Sequence, residues 1–138
     1  MNQYVCGFAF SHDLERIALI EKQKPDWQKG FLNGIGGKIE DHETPKQAMQ
    51  REFLEEAGVD FVFWHPLCVI TGSDWEVHFF YGLFQPTQFS EIKTVEQEKV
   101  LVINLKYFNQ YKVLQNLMWL VPMALHRLAY RTEKITLP

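Results

Sequence analysis

The chain predicts an α/β domain in which a mixed sheet is layered with helices. Two observations predict it. Strand-length apolar segments alternate with two helical ones along the chain. One of those helices carries start and stop signals at both ends. The 138 residues are 46% hydrophobic and 22% charged, the composition of a folded domain, and suffice for one domain spanning 1–138. Aromatic residues reach 14%, which suits a packed core or a pocket that stacks flat ligands.

Taken in order, Tyr4–Phe10 reads as a buried strand and Ser11-His12-Asp13 as a turn. Ile17–Ile20 reads as the returning strand. Lys24–Gly34 is a loop rich in breakers, and Ile35–Ile39 is short, apolar and broken by glycine. A helix over Pro45–Ala57 follows. Thr44 is its N-cap, Pro45 its first residue, Gln47 completes a capping box, and Gly58 ends it. Ala48, Met49, Phe53 and Ala57 form its apolar stripe. Phe61–Thr71 reads as a strand that Pro66 can break. Gly72-Ser73-Asp74 is a turn, and Trp75–Phe84 a second strand with Val77, Phe79, Tyr81 and Leu83 on one face. Thr87–Glu96 is polar loop and Lys99–Leu105 another strand. Asn116–Arg131 is a last helix, turning Leu117, Leu120, Val121, Ala124, Leu125 and Leu128 to the core.

Composition excludes several classes. Fourteen basic against seventeen acidic residues give a net charge of -3, so no basic field exists for duplex DNA or RNA. Cys6 and Cys68 match no zinc spacing or disulfide framework, and core packing as thiols is their expected fate. Met1–Tyr4 does not open a signal peptide, and Leu117–Leu125 is too short to span a bilayer. A cytoplasmic location and no membrane partner are therefore expected.

The chemistry concentrates between Gly36 and Val59. Glu52, Glu55 and Glu56 stand at i, i+3 and i+4, so one helical face carries all three. Such like charges repel, and something should offset them. Hard oxygen ligands in a cluster are what Mg²⁺ or Mn²⁺ accepts, usually with substrate phosphates. Gly36-Gly37 permits close backbone approach to a ligand. A solvated acidic face would explain three glutamates alone. The full pattern is Gly37, five residues, Glu43, seven residues, Arg51-Glu52, two residues, Glu55-Glu56, one residue, Gly58-Val59. Chance would match its seven fixed positions on the order of once in a million chains.

This segment resembles the Nudix box, and the chain resembles the Nudix hydrolase superfamily, in its MutT-like branch. Every fixed position of the box over 37–59 is matched, with Phe53 where the family usually carries Ile, Leu or Val. The resemblance implies an α/β/α sandwich around a mixed sheet. It implies that Glu52, Glu55 and Glu56 are ligands of Mg²⁺ or Mn²⁺, with the Gly37 carbonyl as a further ligand. It implies that Arg51 orients the carboxylates, that Glu43 pairs with Arg51, and that Lys38 meets a phosphate. A distal glutamate completes such sites, and Glu98 fits best, with Glu96 next. Glu56 and Glu98 both stay open as the base.

The implied reaction is hydrolysis of a nucleoside triphosphate to monophosphate and pyrophosphate. Metal ions neutralise the phosphates and acidify a water, and a carboxylate takes its proton. Trp27–Lys38 resembles the approach to the box in oxidised-purine triphosphatases of the 8-oxo-dGTP type. There Asn33 would read the base through its carboxamide, or else be a plain Asn-Gly turn. Asn116 is a second base reader or an ordinary N-cap. The members most similar around it carry acidic residues where this chain has Asn116-Leu117. Trp27, Phe31 and Trp119 can stack a base, with core packing expected for at least two of them. Lys22 and Lys24 reach the phosphates or are solvated. ADP-ribose, dinucleoside polyphosphates, nucleotide sugars, or nucleotide sensing without turnover remain the alternatives. The protein would act on a small nucleotide, as monomer or homodimer.

Overall fold

The computed structural model describes residues 1–130. In chain order its elements are β1 (Asn2–Ser11), β2 (Arg16–Glu21), β3 (Leu32–Asn33), β4 (Ile35–Lys38) and α1 (Pro45–Ala57). Then come β5 (His65–Thr71), β6 (Trp75–Phe84), α2 (Pro86–Ser90), β7 (Val100–Asn104) and α3 (Leu117–Ala129). The predicted mixed sheet with helices is what forms.

β1 is the spine. It is buried from Val5 to Ser11, as a strand covered on both faces must be. It runs parallel to β6 along its whole length, from Asn2 opposite Trp75 to Ser11 opposite Phe84. Its other edge is shared. The Ala9–Phe10 end pairs with β2, while the Tyr4–Gly7 end pairs with β4. β2 in turn pairs with β3 through Ile20–Asn33 and Glu21–Leu32, and with β7 on its far side. β1 and β2 therefore part like a fork, and the chain crosses the gap at Asn33-Gly34. A side chain at Gly34 would meet Cys6 Sγ at 2.6 Å and the Gly7 carbonyl at 2.9 Å, so only glycine fits there.

Each sheet face has its own core. Ala48, Met49, Phe53 and Ala57 of α1 pack with Phe61, Trp64, Phe80, Phe84 and Phe89. Leu117, Leu120, Val121, Ala124 and Leu128 of α3 pack on Phe8, Phe10, Ile17, Leu19 and Phe79 on the other. Val77, Tyr81 and Leu83 join this second core and Leu125 lies at its margin. The α1 boundaries match the punctuation. Gln47 N–H donates to Thr44 Oγ1 at 3.1 Å, Thr44 N–H donates to Gln47 Oε1 at 2.9 Å, and Gly58 turns left-handed at φ 77°.

Other boundaries differ. Residues 61–64 are irregular rather than strand, because Phe61 and Trp64 leave the sheet to pack under α1. Phe61 stacks on Phe84 with ring centres 3.8 Å apart. At Pro66 the register shifts instead of the strand ending. The polar stretch after β6 contains α2, which Pro86 starts and a capping box through Gln85 and Gln88 holds. Leu105–Gln110 forms a kinked 3₁₀ segment that periodicity does not show. The last helix stops at Ala129, and its expected end at Arg131 lies outside the described residues.

Phe53 touches both Trp64 and Phe84, at 5.2 and 5.3 Å between ring centres. Cutting it to alanine removes the contact that seats α1 on the sheet. We expect Phe53→Ala to lose about 3–5 kcal/mol in urea unfolding. A loss under about 1 kcal/mol would show that α1 is held by its ends and not by this face.

Candidate active site

The site grows from the α1 N-terminus and the loop before it. Arg51 reaches back eight residues, and its Nε and Nη2 donate to Glu43 at 2.6 and 2.9 Å. That fork-to-fork pair fixes the loop against the helix. Nη2 also donates to the Lys38 carbonyl at 3.0 Å, and Nη1 to Glu52 at 2.9 Å and Glu55 at 3.3 Å. Glu43 in turn accepts the Glu40 N–H at 3.0 Å, and Glu40 stands 3.7 Å from the guanidinium. Arg51 holds the Glu43 carboxyl below its ordinary range by this hydrogen bond.

The three helix glutamates are not equivalent. Glu55 is half exposed, and Glu52 lies flat against Gly37. A side chain at Gly37 would meet the Glu52 carboxylate at 2.5 Å, so the glycine makes the seat. Glu56 points inward, and its Oε2 is buried without a hydrogen-bond partner. Burial first, then the charge of Glu52, pushes its carboxyl up to about 8.

A second segment closes on Glu56 from above. Lys93 N–H donates to the Ala57 carbonyl at 3.1 Å and Val95 N–H to the Glu56 carbonyl at 3.3 Å. This fastens the loop after α2 to the end of α1. Both Glu96 and Glu98 act electrostatically on Glu56 as a result. Glu98 is spoken for by two donors, Lys22 Nζ at 3.1 Å and Gln23 N–H at 2.6 Å. Lys22 is thus neither free at the surface nor solvated, but paired across the loop. Lys38 is exposed.

The other side of the crevice is set by the fork. Asn33 sits in β3, not in the Asn-Gly turn allowed for it, because the chain is crossing from β2 to β1 there. Its Oδ1 accepts the Gly34 N–H at 2.8 Å and the Cys6 thiol at 3.6 Å. Residues 112–114 run alongside, with Leu32 N–H donating to the Lys112 carbonyl at 2.8 Å and Leu114 N–H to the Leu32 carbonyl at 3.0 Å. That brings the start of α3 up to β3. Asn116 has helical backbone angles and its side chain caps nothing. The expectation that two of three aromatics enter the core fails. Trp27 is 71% and Trp119 53% exposed, while Phe31 is half-buried beneath Lys112 Nζ at 4.3 Å from its ring centre.

Residues 4–117 match the NUDIX domain family. The chain belongs to the Nudix family. A 31-residue stretch is 58% identical to an 8-oxo-dGTP diphosphatase of Proteus vulgaris, covering 22% of this chain and 28% of that protein. The fold is similar to a MutT from work on Aliivibrio salmonicida and Vibrio cholerae, at TM-score 0.75 and 21% identity over 91% of this chain and 98% of that one. It is also similar to NrtR of Shewanella oneidensis, at TM-score 0.78 and 17% identity over 94% and 63% of the two chains. These likenesses make the Nudix α/β fold the architecture of this chain.

The Nudix residues fit a hard divalent cation by their chemistry. Glu52, Glu55 and Glu56 are oxygen donors on one face, and Glu56 Oε2 is buried without a hydrogen-bond partner. Among the described residues, no three acidic, histidine or cysteine side chains converge closely enough to hold an ion as they lie. Arg51 pairs with Glu52 and Glu55 and not with Glu56. The helices include none long and apolar enough to cross a membrane among the described residues. Cys6 is a neighbour of Asn33 without any local signal, since the strand fork alone unites them.

Glu56 yields a stability test. Its folded-state proton affinity lies above the ordinary carboxyl value of 4.5, reaching about 8. The folded chain keeps a proton that the unfolded chain releases, so stability falls as pH rises through this window. We expect Glu56→Gln to raise the Tm of metal-free protein at about pH 8, with the gain fading toward about pH 5. Equal melting at both pH values would mean that Glu56 ionises without cost.

Proposed function

We propose that this Nudix chain, read as one domain over 1–138, is a metal-dependent nucleoside triphosphate pyrophosphohydrolase. Its substrate class is an oxidised purine triphosphate of the 8-oxo-dGTP kind, and its products are the monophosphate and pyrophosphate. The observation that carries the reading is the lone, buried Glu56 Oε2 beside a Glu52 carboxylate seated on Gly37. The local identity to an 8-oxo-dGTP diphosphatase supports the substrate class.

The residues divide the work. A bound Mg²⁺ or Mn²⁺ supplies neutralisation of phosphate charge and a more acidic water. Glu52, Glu55, Glu56, Glu98 and the Gly37 carbonyl would hold that cation once the side chains turn toward it. Arg51, fixed by Glu43, keeps Glu52 and Glu55 in position. Glu56 would take the proton of the attacking water at Oε2, the carboxylate oxygen left without a hydrogen-bond partner. Glu98 keeps its charge beside Lys22, which also faces the phosphates with Lys38. Asn33 meets the base from the fork, with Asn116 and Trp119 at the start of α3 as further contacts.

The test is pyrophosphate and phosphate release with Mg²⁺ or Mn²⁺ across a panel. The panel holds ordinary and 8-oxo nucleoside triphosphates, ADP-ribose, dinucleoside polyphosphates and nucleotide sugars. We expect fastest pyrophosphate release from an oxidised purine triphosphate. Glu52→Gln and Glu56→Gln should each cut that rate about a hundredfold or more. Turnover confined to a diphosphate-linked compound would replace the substrate class. Metal-dependent binding with no turnover at all would make the chain a sensor.

A further inference from the structure

The Asn33 carboxamide is oriented from behind. Its oxygen accepts the Gly34 N–H at 2.8 Å, and only an oxygen can accept there. The second donor to the same atom is the Cys6 thiol at 3.6 Å. With both donors on Oδ1, the amide is committed to donating from Nδ2. That group makes no hydrogen bond among the described residues, and it is not among the buried unpartnered atoms. A carboxamide free to flip would read donors and acceptors alike; this one reads acceptors.

Cys6 is built into this place. It is 6% exposed, and it pairs in register with Gly36 on β4, next to the fork. Gly34 has no side chain where Sγ lies, so the thiol can approach. Burial pushes the thiol up to about 12, which keeps its proton available for donation at neutral pH. The charges of Lys22 and Glu56 also act on it.

We propose that Cys6 is a positioning residue, whose S–H holds Asn33 Oδ1 so that Nδ2 faces the substrate base as a fixed donor. This rests on the reading of Asn33 as a base-contacting residue. Packing alone would ask only for an apolar group of this size, and Cys6→Val would serve as well. A donor role asks for a hydrogen, and Cys6→Ser would restore what Cys6→Ala removes.

Two measurements test it. The first needs no substrate. In ¹⁵N-correlated NMR spectra the Asn33 side-chain amide pair, identified by its loss in Asn33→Ala, should be sharp in the parent and in Cys6→Ser. It should shift or broaden in Cys6→Ala and Cys6→Val. An Asn33 amide unchanged in both apolar variants overturns the proposal, whatever the enzyme turns over. The second is the ratio of kcat/KM for 8-oxo-dGTP, dGTP and dATP to that for abasic deoxyribose triphosphate. Normalising to the abasic compound removes general damage to the site. We expect the ratio for the favoured base to fall roughly three- to tenfold in Cys6→Ala, through KM rather than kcat, and to recover in Cys6→Ser. If Asn33→Ala lowers the ratio and Cys6→Ala does not, base reading by Asn33 survives and the role of Cys6 falls. If Asn33→Ala leaves the ratio unchanged, or no base-bearing triphosphate is turned over, the base-reading premise fails and the proposal with it.

Discussion

One guanidinium organises this protein's acidic centre. Arg51 is a single cation among Glu40, Glu43, Glu52 and Glu55, with ion-pair distances from 2.6 to 3.7 Å. A helix face with carboxylates one turn apart would otherwise repel itself. The planar fork is what allows one side chain to hold the loop through Glu43 and the helix through Glu52 together. Lysine, a point charge, has no equivalent geometry. The helix start is secured separately, by Thr44 and Gln47, so the guanidinium is free to face the acidic side.

The balance Arg51 strikes is deliberately incomplete. It reaches Glu43, Glu52 and Glu55 but not Glu56, and the unpartnered oxygen is the consequence. A buried polar atom without a partner costs stability. Folds tolerate such a cost where the atom has work to do once a ligand arrives. The loop after α2 adds to the charge here, since its bond from Val95 N–H to the Glu56 carbonyl carries Glu96 and Glu98 toward Glu56. Lys22 then neutralises only one of them.

The parts of this molecule written in local sequence were legible. Thr44, Pro45, Gln47 and Gly58 bound α1 because caps act within a single turn. The box pattern gave the acidic face because helical spacing is fixed. The apolar stripes of α1 and α3 gave both cores for the same reason. What stayed hidden depends on distant pairing. Whether Asn33 turns or crosses is decided by β1 and β2 parting, which no residue near Asn33 encodes. Cys6 packs in the core as expected, but its contact with Asn33 depends on that fork. Trp27 and Trp119 looked apolar enough to be buried, yet both are exposed among the described residues. The helix α2 hid in polar residues because its capping, not its stripe, holds it.

The fork explains why the acidic cluster and the Asn33 carboxamide sit together. When β1 leaves β2 for β4, the sheet opens at one edge while α1 closes over β4. Gly37 then lies under the Glu52 carboxylate, and Gly34, three residues earlier, lies against Cys6 and beneath Asn33. Both glycines are required by a close approach, one from a helix and the other from a strand. The Asn33 carboxamide and the acidic cluster thus emerge from one stretch of backbone. Because β4 and the loop to α1 are short, the two cannot drift apart without breaking the pairing of Cys6 with Gly36. Rigid backbone, rather than any further side chain, sets the distance between the two halves of the site.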